Sequence, residues 1–301
     1  FPRRLTGAVT LVLCLIAVLL PAMGAQSLLP DNAMGVLWGG FLAWPLVAVR
    51  SMHDHVTAVE RPLTDGNLRE ARHAVSMIVG RNPEALDEAG VSRAALESLA
   101  ENTSDGIVAP VFWGAVAGLP GIAVYKMINT LDSMIGHRSP RYLQFGWASA
   151  RLDDLMNLIP ARATGVLLAL VSGRPRRAGG VMLRDARRHR SPNAGWPEAA
   201  MAAVLGIALS GPRSYHGERR DFPYVNAEGR HDIGAAEIDA VAARHPLRVL
   251  EREGLRVGAV ADAQLALQQR CDPGGEQPRQ VLRRARLHPR RDLLREEFEQ
   301  Q

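Results

Sequence analysis

The run L-T-G-A-V-T-L-V-L-C-L-I-A-V-L-L-P-A-M-G-A-Q-S-L-L-P (5–30) carries 26 consecutive residues without a charge, and after the single Asp31 the run N-A-M-G-V-L-W-G-G-F-L-A-W-P-L-V-A-V (32–49) carries 18 more. A helix that crosses the ~30 Å hydrocarbon core of a bilayer needs about 20 predominantly apolar residues. Both runs are close to that length and Asp31 reads as a tight turn, so the pair predicts a hairpin of two membrane helices. Arg3 and Arg4 imitate the basic start of a secretory signal, but a second apolar run following at once argues against a cleaved leader. The chain starts at Phe1 rather than Met, which leaves a natural segment ahead of it as an expectation.

Further along, residues 106–125 form a third uncharged run of 20, while 163–173 and 199–212 give runs of only 11 and 14, lengths that buried soluble helices also show. Inside the third run, Gly118-Leu119-Pro120-Gly121 is a strong breaker that leaves about eleven apolar residues on each side, too few to cross. A re-entrant helical hairpin follows as the expectation. It brings the polar blocks 97–105 and 129–133 to one membrane face, with the broken backbone shielded by protein or a cavity. Between 174 and 190, seven arginines stand against Asp185, a bias that marks a cytoplasmic segment. That side agrees with Arg3 and Arg4 inside only if 163–173 also fails to cross completely, so the sequence leaves this topology open.

Composition alone points elsewhere. The chain has 301 residues, 47% of them hydrophobic and 22% charged, with 36 Lys+Arg against 31 Asp+Glu for a net charge of +5 and a mean hydropathy of -0.06. Those averages suit a soluble protein and hide the apolar runs. No basic stripe interleaved with aromatics is present, which excludes nucleic acid as the partner. Cys14 and Cys271, the only cysteines, have neither metal spacing nor a plausible pairing. Lys126 is the single lysine.

Three polar blocks flank the apolar runs. In A-A-L-E-S-L-A-E-N-T-S-D (94–105), Glu97, Glu101 and Asp105 fall within an ~80° arc of one helix face. The stripe is either a solvated face leading into the membrane run or a site for a divalent cation or Mg-nucleotide, with Asn102 and Ser104 as neutral ligands or donors. In Y-K-M-I-N-T-L-D-S-M (125–134), Asn129, Asp132 and Ser133 recur at helical spacing among apolar neighbours, where polar groups are costly to bury unless paired. Either they form a structural network between helices or they belong to a site, and Lys126, one turn earlier, can meet a phosphate. In R-L-D-D-L-M-N-L-I-P-A-R-A-T-G (151–165), Asp154 and Asn157 pair at i, i+3 and Arg162 lies beyond a break expected at Pro160. One of Asp153 and Asp154 could serve as a helix N-cap, but not both. His189 sits in an arginine-rich loop and reads as a surface group, and 191–195 reads as a turn that starts a helix at Trp196 or Pro197. No Gly-rich phosphate loop of the Walker type occurs.

Together, G-R-N-P-E-A-L-D (80–87), E-S-L-A-E-N-T-S-D-G-I-V-A-P (97–110), Y-K-M-I-N-T-L-D-S-M-I-G (125–136), F-G-W-A-S-A-R-L-D-D-L-M-N-L-I-P-A-R (145–162) and R-D-A-R-R-H-R-S-P-N-A-G-W-P (184–197) resemble the adenosylcobinamide-phosphate synthase family, the CbiB/CobD cobalamin biosynthesis proteins. The resemblance covers roughly residues 35 to 260 and extends to motif order and spacing. It weakens after 211–217, and 270–301 is a charged tail outside it, with eight Arg and six Asp+Glu, to which no function is assigned. The family's usual opening membrane segment, ahead of the hairpin, is not matched in this sequence.

The resemblance implies an all-α, polytopic membrane bundle with re-entrant or broken helices and helical extramembrane segments. Its divisions are an N-terminal membrane hairpin (1–50), a catalytic helical membrane domain (51–217) and a polar C-terminal extension (218–301). The implied activity is an ATP- and Mg²⁺-dependent ligase of the inner cell membrane, its site facing the cytoplasm. The implied substrates are a corrinoid, adenosylcobyric acid, and aminopropanol or its phosphate, with other enzymes of the same pathway as neighbours. Glu97, Glu101, Asp132 and Asp154 are the candidate catalytic carboxylates, and Asp105, Asp132, Asp153 and Asp154 the candidate metal ligands. Arg151, Arg162 and Lys126 are assigned to phosphates, and Asn102, Ser104, Asn129, Ser133, Asn157, Ser191 and Asn193 to substrate or nucleotide. Two other readings compete. A non-catalytic membrane protein of the β-lactamase-induction type would lack the acidic and amide motifs that are present here. A transporter would show an inverted internal repeat, and the 97–105 and 151–157 blocks do not correspond.

Overall fold

The structure is a computed structural model that describes residues 3–79, 83–137, 139–215 and 218–242, with backbone alone for 213–215 and 218–220. It bears out the all-α reading: helices dominate and the only sheet among the described residues is two short antiparallel pairs. Helix α1 (Arg3–Ser27) is long enough, at about 1.5 Å per residue, to exceed the ~30 Å apolar core. Only Gly7 and Leu11 are buried on it, and Leu5, Val9, Leu13, Ile16 and Leu20 face outward, as expected of a helix bathed in lipid. Gly7 is required where it stands, because a Cβ would collide with the Phe145 carbonyl.

The second run behaves differently from its expectation. Asn32 caps α2 (Ala33–Ala43), accepting hydrogen bonds from the Met34 and Gly35 N–H groups, but the helix ends after eleven residues in a 3-10 turn, Trp44–Leu46. Pro45 in that turn supplies no donor to continue the ladder. The chain resumes as α3 (Val49–Thr64), an amphipathic helix, so the 32–49 run is interrupted by the 3-10 turn, and the whole stretch Ala33–Thr64 counts as one candidate span. Among the described residues, by length and composition alone, Arg3–Ser27, Ala33–Thr64 and Glu88–Ile135 are candidate membrane spans, and the bent pair Trp147–Met156 with Leu158–Val171 raises the number to up to 4.

α5 (Glu88–Thr103) passes through a π-helical turn (Ser104–Val108) into α6 (Ala109–Ile135). The breaker takes effect at Ala117 (φ -138, ψ 20) and Gly118 (φ 63, ψ -149), a conformation open to glycine and strained for other residues. Two observations show that the chain doubles back there. A Cβ on Gly121 would strike the carbonyl oxygen of Trp113, eight positions earlier and about 12 Å away along a straight helix, and Gly114 lies against Ile122. Gln26 at the end of α1 secures the tip, its Oε1 accepting the Leu119 N–H at 2.8 Å. A helical hairpin broken at 117–118, the geometry a re-entrant segment needs, is therefore present.

The remaining helices form a second core, called the water-side core for its charged helices α4 (Leu68–Ser76) and α9 (Pro175–Asp185). Together with α10 (Gly195–Leu205) and α11 (Ala235–Ala242), they pack with α3, α5 and α8 (Leu158–Val171). Val59, Val75, Val91, Leu96, Ile207 and Ile238 are at its centre, and α10 is buried nearly all round. α7 (Trp147–Met156) runs against α6, and a 44° bend at Asn157 turns α8 onto α9 and α10. The break expected at Pro160 falls instead at Asn157, because Pro160 sits in the first turn of α8, where no intrahelical donor is needed. Strand β1 (Leu209–Ser210) pairs with β4 (Tyr224–Val225), and β2 (Arg213–Tyr215) with β3 (Glu218–Arg220). β2 and β3 pair from either side of residue 217, and Val225, Ile233 and Ile238 belong to the same core as residues of α3 and α5. The 270–301 tail lies outside the described residues.

Candidate functional site

Asp153 is the centre of a polar relay laid across the open end of the re-entrant hairpin. Its Oδ2 accepts from Asn157 Nδ2 at 3.0 Å and its Oδ1 from Asn129 Nδ2 at 3.3 Å, so both carboxylate oxygens are held by amides. Asn157, 1% exposed, presents its Oδ1 to the Tyr125 hydroxyl at 2.9 Å. The same hydroxyl lies 3.0 Å from the carbonyl of Asp105, and its one proton serves one acceptor at a time. That carbonyl depends on outside help. The π turn gives the Ala109 N–H to Ser104, and the residue after it, Pro110, has no N–H to offer. The relay thus ties both legs of the hairpin to α7.

Around it gather the other acidic groups. Asp105 is within electrostatic reach of Glu101, Asp153, Asp132 and the Lys126 ammonium, and Asp132 is within reach of Asp154 and of His137. Trp113 anchors the back wall, its indole N–H donating to the Met156 carbonyl at 3.1 Å. On the far side, Asn193 donates from Nδ2 to the Asp154 carbonyl at 2.7 Å, and the Arg162 guanidinium stacks 4.7 Å from the centre of the Trp196 ring while donating to the Leu158 carbonyl. The 193–196 turn therefore clamps the α7–α8 bend. Ser191 builds that turn, its Oγ accepting from the Asn193 and Ala194 N–H groups.

Several sequence-selected residues are placed elsewhere. Glu97 is 4% exposed and accepts from the Ser210 N–H at 2.7 Å, locking α5 to β1 in the water-side core. It shares a stripe with Glu101 and Asp105, but each four-residue step rises about 6 Å, so the stripe runs from the core to the mouth. Ser133 and Arg151 are exposed, and Ser133 donates to its own helix at the Asn129 carbonyl. Asn102 donates back to Ser98, and Ser104 is buried. Asp153 and Asp154 lie in the last turn of α7, so neither is the N-cap that one of them could have been. Among the described residues no three His, Cys, Asp or Glu side chains converge at metal-binding distance, so the expected ligand set Asp105, Asp132, Asp153 and Asp154 is a neighbourhood of charge without an assembled metal site. His189, read as a surface group, is half-buried, its side chain only 8% exposed: Nδ1 accepts the Ser191 N–H, which leaves Nε2 to face Glu198 at 3.5 Å.

Tyr125, Trp113, His137 and Trp196 were not singled out from sequence. Aromatic residues in apolar runs read as core or interface groups, and only the fold shows Tyr125 meeting Asn157, 32 residues away.

The mouth of the site lies at the amino-terminal end of α1. Arg4 stacks over Trp147 and Gly7 touches Phe145 at that end, while Gln26 meets the hairpin tip at the other. A polytopic helical membrane protein with an acid–amide cluster at the open end of a re-entrant hairpin is the class that these features define. The chain belongs to the CobD/CbiB family, whose model, described as CobD/Cbib protein, matches residues 1–243. Similar proteins include cobalamin biosynthesis protein CobD of Rhodobacter capsulatus, 63% identical over 224 residues that make up 74% of this chain and 71% of that protein. The protein of the same name from Brucella suis is 55% identical over 222 residues (71% and 68% of the two chains), and that of Sinorhizobium fredii 50% identical over 248 (80% and 76%). No solved structure gives a significant match.

Proposed function

We propose that this protein acts in cobalamin biosynthesis as an amide-forming ligase, joining aminopropanol or its phosphate to a propionate carboxyl of adenosylcobyric acid with consumption of ATP. The observation that carries this reading is the relay Asp105–Tyr125–Asn157–Asp153–Asn129 at the hairpin mouth, with Lys126 beside it. An unactivated carboxylate is a poor acylating agent. One of its oxygens attacks the γ-phosphorus of ATP, the bond to the bridging oxygen breaks, and ADP departs. The amine nitrogen then attacks the acyl carbon, phosphate leaves with the C–O electron pair, and the surplus proton passes to a mouth carboxylate, for which Asp132 and Glu101 are available.

In this reading Lys126 meets the transferred phosphoryl group, while Asn129 and Asn157 hold Asp153 by hydrogen bonds. Mg²⁺ enters as the counter-ion of the nucleotide, and no step runs through a protein-bound ion. The site belongs to the cytoplasmic face of the inner membrane in this proposal. Arg3 and Arg4 at the mouth end of α1, and the arginine-rich segment that ends in the turn holding Asp154, are supported by one rule of topology. Other enzymes of the pathway are proposed neighbours.

The test uses the purified protein in detergent with adenosylcobyric acid, each amine in turn and Mg-ATP. Amide product formed in step with ADP release is expected, and neither amine giving product overturns the proposal. Asp132→Asn and Glu101→Gln are expected to abolish product while leaving membrane insertion intact.

A further inference from the structure

The water-side core carries a feature that the ligase reading does not use. α9 buries Ala178, Val181, Met182 and Asp185 and turns the opposite face outward. That face holds Arg176, Arg177, Arg184 and Leu183, the last 76% exposed, and Arg187 continues it one turn on. The segment's one acid is already engaged: Asp185 is buried and held by Arg184 and Arg188. Arg184 also approaches Glu228 at 3.5 Å, but Arg174, Arg176, Arg177 and Arg187 meet no carboxylate among the described residues. Gly179 and Gly180 leave the surface between them open, since nothing lies within 4 Å of where their Cβ atoms would be.

The arginines adjoin an apolar edge. Leu167, Leu170 and Val171, the last 84% exposed, end α8 three residues before Arg174. Guanidinium groups beside exposed leucine and valine match one chemistry above others: a layer whose phosphates lie directly over acyl chains. A soluble anion would match the charge but leave Leu183 and Val171 in water. A protein partner would need acidic side chains interleaved with apolar ones, and nothing here selects it.

We propose that the outer face of α9 is a docking surface for the headgroups of anionic phospholipids, with Leu183 and the end of α8 set among their upper acyl carbons. The water-side core is thereby drawn flat against the bilayer, which keeps the mouth of the re-entrant hairpin at a fixed height over the membrane surface. This inference is independent of the ligase reading and survives its failure.

The experiment uses the full chain, purified in detergent and equilibrated with mixed micelles of phosphatidylglycerol and phosphatidylcholine, with retained lipid quantified by headgroup after gel filtration. Wild type is expected to retain phosphatidylglycerol preferentially, and the preference is expected to shrink with added salt. Arg174→Gln/Arg176→Gln/Arg177→Gln is expected to lose the preference by about fivefold per arginine removed. The corresponding triple lysine variant, whose charge is unchanged, keeps most of it. An unaltered elution profile and helical circular dichroism show that the glutamine variant is folded, and the lysine variant separates loss of charge from loss of fold. Equal retention of the two lipids by wild type, an undiminished preference in the glutamine variant, or displacement of the lipid by millimolar inorganic phosphate at constant ionic strength each overturns the proposal.

Discussion

Replacing Tyr125 by Phe removes one oxygen and leaves the ring in place, so any effect reports the hydroxyl. That hydroxyl is the donor shared by Asn157 Oδ1 and the Asp105 carbonyl, and Pro110 and the π turn leave that carbonyl without its usual backbone donors. Losing the donor leaves buried acceptors unsatisfied, which costs about 1–3 kcal/mol. For a chain of this size each kcal/mol lowers the melting temperature by about 2–4 °C, so the expected drop is roughly 2–12 °C. The assay is the fraction of detergent-purified protein that stays monodisperse by gel filtration after heating. The single variants Tyr125→Phe and Asn157→Ala and the double variant close a cycle, and because they share one hydrogen bond their losses should fall short of additivity by about 0.5–3 kcal/mol. A melting temperature for Tyr125→Phe within about 1 °C of wild type, or strict additivity in the cycle, would refute the claim that the relay holds the hairpin to α7.

Other expectations follow from neighbouring geometry. Gly118→Ala places a side chain at φ 63, ψ -149 and against Gln26 Oε1, and should destabilise by about 1–3 kcal/mol or more, read by the same heating assay. Gly121→Leu should spread the hairpin legs and halt turnover, seen as lost product with unchanged membrane insertion, because its Cβ meets the Trp113 carbonyl. Glu97→Ala should lower thermal stability and leave the KM values of the surviving folded protein unchanged, since its partner is Ser210 in the water-side core. Acidification should loosen the α9–β4 region first. Burial acts to raise the Asp185 pKa, but hydrogen bonds from Arg184 and the Asn226 N–H and the charges of Arg184 and Arg188 outweigh it and hold the group below its usual value. Stability from Asp185 is therefore complete above the unfolded pKa of about 3.9 and disappears as the pH falls through the lower folded value. Hydrogen exchange at the Asn226 amide, followed from pH 6 to pH 3 and normalised for intrinsic rates, should show protection lost below about pH 4, and protection unchanged to pH 3 would contradict this.

The apolar lengths of 5–30 and 106–125 and the Gly-Leu-Pro-Gly sequence at 118–121 were sufficient to read a membrane helix and a broken one. Both are local properties: length against bilayer thickness, and a backbone that cannot continue helically. The 32–49 run shows the limit of that reasoning, because counting uncharged residues does not register that Pro45 ends the helix midway. The polar blocks were equally visible as groups too costly to bury alone, and Asn129, Asp153 and Asn157 do satisfy one another.

Partnership across the fold was not visible. Glu97 and Glu101 look equivalent on a helical wheel, yet one bonds a strand 113 residues away and the other stands at the mouth, because depth along a helix is set by what packs around it. Tyr125 looked like one more aromatic in an apolar run, and His189 like a surface group in a basic loop. Sequence by itself determined which segments are long and apolar enough to enter a membrane, where the third run breaks, and which residue types need partners, since hydropathy and backbone sterics act within a few residues. The angle at that break, the seam between hairpin and α7, and the choice of Asp153 as the group held by two amides were decided only by tertiary packing. Those contacts join residues far apart in the chain, and their energies exist only once both sides are in place.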